Sequence, residues 1–124
     1  MRNNTFLKLR LEKIWSRYFL DLPKVKIAIK FGRFARLRLG SIKFIKNNPQ
    51  TVITITAMFK NKKIPISVID HTIAHELVHF AHGFSSNRVR LFKYPHAGGI
   101  VKKEMLRRGM GKLNQDYQRW VKSR

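Results

Sequence analysis

Leu7, Leu11, Ile14, Trp15, Tyr18 and Phe19 recur at the spacing of one helical face, while Arg10, Lys13 and Arg17 fall on the opposite side. The pattern predicts an amphipathic first helix that ends near Asp21-Leu22-Pro23 and has a basic outer face. The period then shortens to that of a strand: Val25, Ile27, Ile29 and Phe31 alternate with Lys24, Lys26, Ala28 and Lys30. Gly32 interrupts the alternation, which resumes from Arg33 to Ile45 with Leu37 and Leu39 expected on one face and Arg36 and Arg38 on the other. A third strand, Thr51 to Thr56, is rich in β-branched residues and follows the turn Asn47-Asn48-Pro49-Gln50, so these last two strands are expected to form a hairpin.

Beyond Pro65, Ser67 followed by Asp70 has the form of a capping box, and Gly83 stands where a helix would stop. A helix from about Val68 to His82 is expected between them, with Ile69, Ile73, Leu77, Phe80 and Ala81 on its buried side. Residues 83 to 95 read as a loop. A helical region opens near His96 or Ala97 and stops at Gly109, and a short helix carrying Leu113, Tyr117, Trp120 and Val121 follows. No repeat, low-complexity segment or linker divides the chain. The expected fold class is α+β: an N-terminal helix, a small antiparallel sheet of about three strands, a central helix and C-terminal helices, in one domain over residues 1–124.

Composition supports a single core, with 44% hydrophobic residues including 9 Phe, 3 Tyr and 2 Trp. Charge changes the picture more. Against 27 Lys and Arg stand only 6 Asp and Glu, a formal net charge of +21. Self-repulsion on that scale destabilises a compact state unless an anion screens it, so a polyanionic partner is expected. The charges are interleaved with periodic apolar positions, which argues against a disordered basic tail. With no cysteine, the chain has no disulfide framework, thiol nucleophile, zinc ribbon or iron–sulfur site, and any metal must be held by His and carboxylate. Charged residues break up the N-terminal apolar pattern, and the longest uncharged stretch, Asn47 to Phe59, is short and Thr-rich. No signal peptide and no membrane association are expected, and the protein is expected to be cytoplasmic and associated with nucleic acid.

The central helix carries His75-Glu76-Leu77-Val78-His79, an H-E-x-x-H motif. Two His four apart on a helix differ by about 40° in direction and about 6 Å in height, so both imidazoles can reach one Zn²⁺. Glu76 projects to one side of the pair, where it can act on a water as general base. Catalytic zinc takes three protein ligands and keeps one position open. His82 lies about 10 Å along the axis from His75, too far for one helix to place all three on an ion, and His71 fails likewise on the other side. Glu104 on a later helix is one candidate. His96, which opens the next helix after the loop, is the better placed by sequence.

These features resemble the SprT-like family of zinc metalloproteases, which includes the Spartan-type proteases that degrade proteins crosslinked to DNA. The resemblance rests on the amphipathic first helix, the Leu39-Gly40-Ser41 segment opening a hairpin, the H-E-x-x-H helix and a third His beginning a helix. It implies a zincin-like fold and a DNA-associated, zinc-dependent endopeptidase taking part in the repair of DNA–protein crosslinks. His75, His79 and His96 would be the ligands of one catalytic zinc and Glu76 the general base. Family members often have Gly-Pro and an aromatic after the third His, where this chain has Ala97-Gly98-Gly99-Ile100. Many also carry a Cys-rich zinc ribbon that this chain lacks.

The expected partners are therefore DNA, with unpaired strands among the forms considered, and proteins bound to DNA. Candidate phosphate contacts are Arg10, Lys13, Arg17, Arg36, Arg38, Lys102, Lys103, Arg107 and Arg108, and Phe34, Phe44, Phe92 and Tyr94 are candidates for stacking on bases. Two alternatives stand beside the peptidase: a metal-dependent ribonuclease and a non-catalytic nucleic-acid-binding protein with a structural zinc. The bacterial rRNA-maturation endoribonucleases also use a three-His metal site, with Gly where this chain has Glu76.

Overall fold

The computed structural model describes residues 1–23, 25–84, 90–92, 94 and 96–124. Helix α1 (Asn4–Tyr18) begins where the Asn3 side chain accepts the Phe6 N–H, and it buries Leu7, Leu11, Ile14 and Trp15. The helix stops at Tyr18, a little before the expected Asp21, with Phe19 as its cap and fully buried. Strands β1 (Ile27–Phe31), β2 (Gly40–Ile45) and β3 (Gln50–Ile55) follow, then a 3₁₀ turn (Ala57–Lys60) and helix α2 (Ile66–Ala81). Helices α3 (Ile100–Arg107) and α4 (Gly111–Ser123) complete the chain, with Gly109 at φ 86° in the bend between them. Among the described residues the architecture is α+β: four helices and one three-stranded sheet. Among the described residues, no helix is long and apolar enough to cross a membrane.

The sheet is mixed, which corrects the expected antiparallel arrangement. Its order is β1-β3-β2, with β3 antiparallel to β2 through the expected hairpin but parallel to β1. Alternation in sequence reports which side chains face inward; it carries no information on a strand's partner or direction. Phe31 at the end of β1 and Gly40 at the start of β2 both sit opposite Ile55, so the chain crosses over the end of β3 to pass from one edge of the sheet to the other.

That crossing also corrects the long second strand expected from Arg33 to Ile45, of which only Gly40–Ile45 is a strand. Residues 32–39 form an arch over the end of β3. Gly32 donates its N–H to Ile55 O, Thr56 N–H is accepted by Leu39 O, and Ala57 N–H by Arg33 O. The Thr56 hydroxyl binds both the N–H and the C=O of Ala35, at 2.8 and 2.7 Å. Leu39 turns inward and is buried, whereas Leu37, expected on the same face, is 92% exposed.

Helix α2 runs through the centre, and thirteen of its sixteen residues are buried. The expectation of a single buried side is too simple, because α1, α3, α4, β2 and β3 all pack against it. Its capping box does not form. The helix starts one residue after Pro65, so Ser67 already lies inside the first turn, and no side chain caps the N-terminus. Asp70 instead takes the Arg10 guanidinium in a two-pronged ion pair, Nε to Oδ1 at 2.9 Å and Nη2 to Oδ2 at 2.6 Å. The C-terminus ends as expected. Gly83, at φ 88°, donates to Phe80 O, and Phe84 N–H reaches back to His79 O, the Schellman arrangement that fixes the chain's exit from the last turn. Of the loop expected over 83–95, residues 85–89, 93 and 95 lie outside the described residues, as does Lys24.

The core joins these elements. Leu7 and Leu11 of α1, Ile53 and Ile55 of β3, and Ile69, Ile73 and Leu77 of α2 are closed off by Met105 and Met110. Arg2 ties the N-terminus to the 3₁₀ turn and the segment after it, donating to the carbonyls of Phe59, Asn61 and Ile64.

Candidate metal centre

Three imidazoles converge at the mouth of a cleft. His75 and His79 stand one turn apart on α2, and His96 comes in just ahead of the 3₁₀ turn Ala97–Gly99 that leads into α3. Gly98 and Gly99, at φ 61° and 69°, supply the left-handed backbone of that turn, which most side chains would strain. The Nε2 atoms of His75 and His79 are 3.1 Å apart and those of His75 and His96 are 3.3 Å apart.

Three nitrogens on a tetrahedral ion with bonds of about 2.0–2.1 Å are separated by about 3.3–3.4 Å, so both spacings fit a shared ion. Hydrogen bonding alone satisfies the group poorly, because His75 Nε2 faces the Nε2 of both other rings and has at most one N–H or one lone pair to offer there. His75 and His79 are pushed down to about 4 and about 3, burial being the largest cause and the neighbouring imidazoles adding to it. Both rings are therefore neutral at physiological pH, the form in which imidazole binds a metal. His75, His79 and His96 form a group that could hold a metal ion. His79 Nδ1 is buried with no partner among the described residues. An N–H left unpaired there costs about 1–3 kcal/mol, which metal binding must outweigh.

Glu76 is 5% exposed and lies in the same cleft. Burial pushes its carboxyl up to about 7, with Arg38 pulling the other way. A group with that value can take up and release a proton near neutral pH. The cleft has a volume of about 520 Å³ and is lined on one side by Arg38, Gly40 and Ser41 and on the other by His75, Glu76 and Tyr117. Gly40 permits the close approach of β2 to α2: a Cβ there would stand 2.8 Å from Thr72 Cγ2 and 3.3 Å from Glu76 Oε2.

The other histidines take different places. His71 is buried, stacks face to face on Tyr117 at 4.0 Å between ring centres, and lines the cleft. His82 is buried, packs edge-on against Phe92 and lies 3.7 Å from Glu104 Oε1. Glu104, the alternative third ligand, is outside the three-His group and is held by Arg107 and Arg108, whose guanidinium groups keep its carboxyl below the usual range against the opposing effect of burial. Arg108 also binds Asp21 at 2.6 and 3.0 Å, donates to Tyr18 O and covers the Phe19 ring.

Of the nine candidate phosphate contacts, Arg10, Arg107 and Arg108 thus have carboxylate partners. Lys13, Arg17, Arg36, Arg38, Lys102 and Lys103 are exposed. Sequence reasoning placed Tyr117 only as an apolar helix position, since its helical spacing is the same whether the ring fills a core or lines a cleft. No family model matches the chain, and no solved structure matches it significantly.

Proposed function

We propose that the chain is a zinc-dependent endopeptidase of the SprT-like kind, acting on proteins held on DNA. The observation that carries this reading is the convergence of three imidazoles with a buried carboxyl, Glu76, in one open cleft. Zinc is the metal proposed, since an all-imidazole set of three with room for a fourth ligand suits it, and when bound it would activate water and polarise a carbonyl.

The chain's own residues do the rest. Glu76, buried in the same cleft as the three imidazoles, takes a proton from the attacking water and delivers it to the departing amine. Strand β2 lies at an edge of the sheet, and its Gly40 and Ser41 line the cleft, so an extended substrate segment can pair alongside it. Tyr117 and its stacked partner His71 wall the opposite side and hold that segment against β2. The net charge of +21 draws the domain to DNA, where its protein substrates are bound.

The test is a substrate panel. Purified zinc-loaded protein is incubated with a DNA-bound protein, the same protein without DNA, and RNA. Cleavage of the protein, faster when DNA is present, is expected; cleaved RNA beside intact protein would replace this reading with the ribonuclease.

A further inference from the structure

The six acids of the chain are unevenly placed: between Asp21 and Asp70 there are eleven Lys and Arg and no Asp or Glu. That acid-free run builds the whole sheet and the arch of residues 32–39, while the acids sit on or beside the helices. On the arch, Arg33, Phe34, Arg36, Leu37 and Arg38 are all exposed, Phe34 by 64% and Leu37 by 92%. Among the described residues neither Arg33 nor Arg36 has an ion-pair partner.

The arch is also fixed in place. Thr56 holds Ala35 by two hydrogen bonds, Ala57 holds Arg33 O, and Arg124 at the C-terminus binds Arg36 O. Apolar side chains are thereby presented to water between guanidinium groups on a backbone that loses little entropy when something covers them. Leu37 and Arg38 line the metal-centre cleft, so the arch forms one lip of its mouth.

We infer that this arch is a binding surface for single-stranded nucleic acid, with Phe34 stacking on an unpaired base, Leu37 packing against its neighbour, and Arg33 and Arg36 meeting phosphates. This deepens the proposed function and rests on its nucleic-acid half. The alternation of flat apolar and cationic groups matches a strand whose bases are splayed from its backbone; a duplex would offer the phosphates but hide the base faces. Two apolar side chains are too little to anchor a bilayer, which separates the arch from a membrane-binding lip. A strand bound there runs past the cleft, so a protein attached to it lies within reach of Glu76.

The test uses the Glu76→Gln protein, so that binding is read apart from cleavage, with a fluorescein-labelled oligo-dT of about twenty nucleotides, its duplex with oligo-dA, and vesicles of phosphatidylglycerol. Anisotropy titrations should show tighter binding of the single strand than of the duplex. Adding Phe34→Ala should weaken single-strand binding about tenfold with an unchanged salt slope, as expected for a lost stacking contact. Adding Arg36→Gln should lower the slope of log K against log salt by about 0.7, as expected for one lost phosphate contact. Lys46→Gln in the turn between β2 and β3, at the end of the sheet opposite the arch, should do neither. Unchanged affinity in the Phe34 variant, equal affinity for duplex, or binding to vesicles without binding to oligo-dT would each overturn the inference. If oligo-dT binds through Phe34 but the wild-type protein cleaves no protein, the peptidase reading fails and the surface stands.

Discussion

Gly40 on β2 and Glu76 on α2 meet so closely that a Cβ on the glycine would stand 3.3 Å from the glutamate's Oε2. The same contact places the strand edge beside the carboxyl and keeps the carboxyl out of water. Burial is what raises Glu76 to about 7, so the spacing of strand and helix sets its proton affinity as well as its position.

Gly40→Ala should therefore act on both. The methyl also meets Thr72 Cγ2 at 2.8 Å, so β2 or α2 must give way, at about 1–3 kcal/mol of stability. Proteolytic activity is expected to fall more than the lost stability explains, with metal content retained. Denaturant midpoints and activity measured on the same preparation check this, and full activity would show that the close approach is not needed.

His96 is the only member of the three-His group that is not on α2, and it is exposed. His96→Ala should weaken zinc binding by at least about 100-fold, since the two helix histidines alone leave the ion short of a ligand. Glu104→Gln should leave zinc affinity unchanged, because its carboxyl is held by Arg107 and Arg108. Competition with a chromophoric chelator gives both values, and stoichiometric zinc in the His96 variant would remove it from the site.

Much of this was legible in the sequence, and the failures have physical causes. The H-E-x-x-H spacing fixes two imidazoles on one helical face, and Gly83 marks the helix end because only a left-handed residue makes that exit easily. The alternation was right over Ile27–Phe31 and the β-branched run located β3, yet alternation misled at Val25, which is exposed ahead of β1, and at Leu37, where an arch of alternating Arg and apolar residues imitates a strand. Nothing local distinguishes the two; the arch exists because β3 lies between β1 and β2. Asp70 misled for the same kind of reason, since a capping acid and a buried ion-pair partner look alike until Arg10, sixty positions away, is brought against it.

That ion pair yields a direct test. Removing the guanidinium with Arg10→Met leaves the buried Asp70 carboxylate without its partner and should cost about 3 kcal/mol, whereas Ser67→Ala should cost under about 0.5 kcal/mol because no cap is lost. Urea denaturation of the two variants separates them. Equal costs would favour the capping box.

Acid should destabilise the metal-free protein in a defined range. His71 is pushed down to about 4, burial outweighing its hydrogen bond to Asn114, and it titrates near 6.5 when unfolded. Between those values the unfolded chain binds more protons than the folded one. The stability contributed is full above about pH 6.5 and is lost as pH falls toward 4, by about 3 kcal/mol for this residue. His75 and His79 act in the same direction. Denaturant midpoints of chelator-treated protein from neutral to acid pH should fall accordingly, and His71→Phe, which keeps a ring on Tyr117 but cannot titrate, should flatten the curve. An unchanged slope in that variant would contradict the assignment.

The central claim is that Glu76 moves the proton in a metal-dependent cleavage of protein. The most direct measurement is cleavage of a DNA-bound protein by wild type and by Glu76→Gln, with zinc content determined on both. A loss of at least about 100-fold in rate with one zinc retained per chain is predicted. Equal rates in the two proteins, or no cleavage by zinc-loaded wild type, would contradict it.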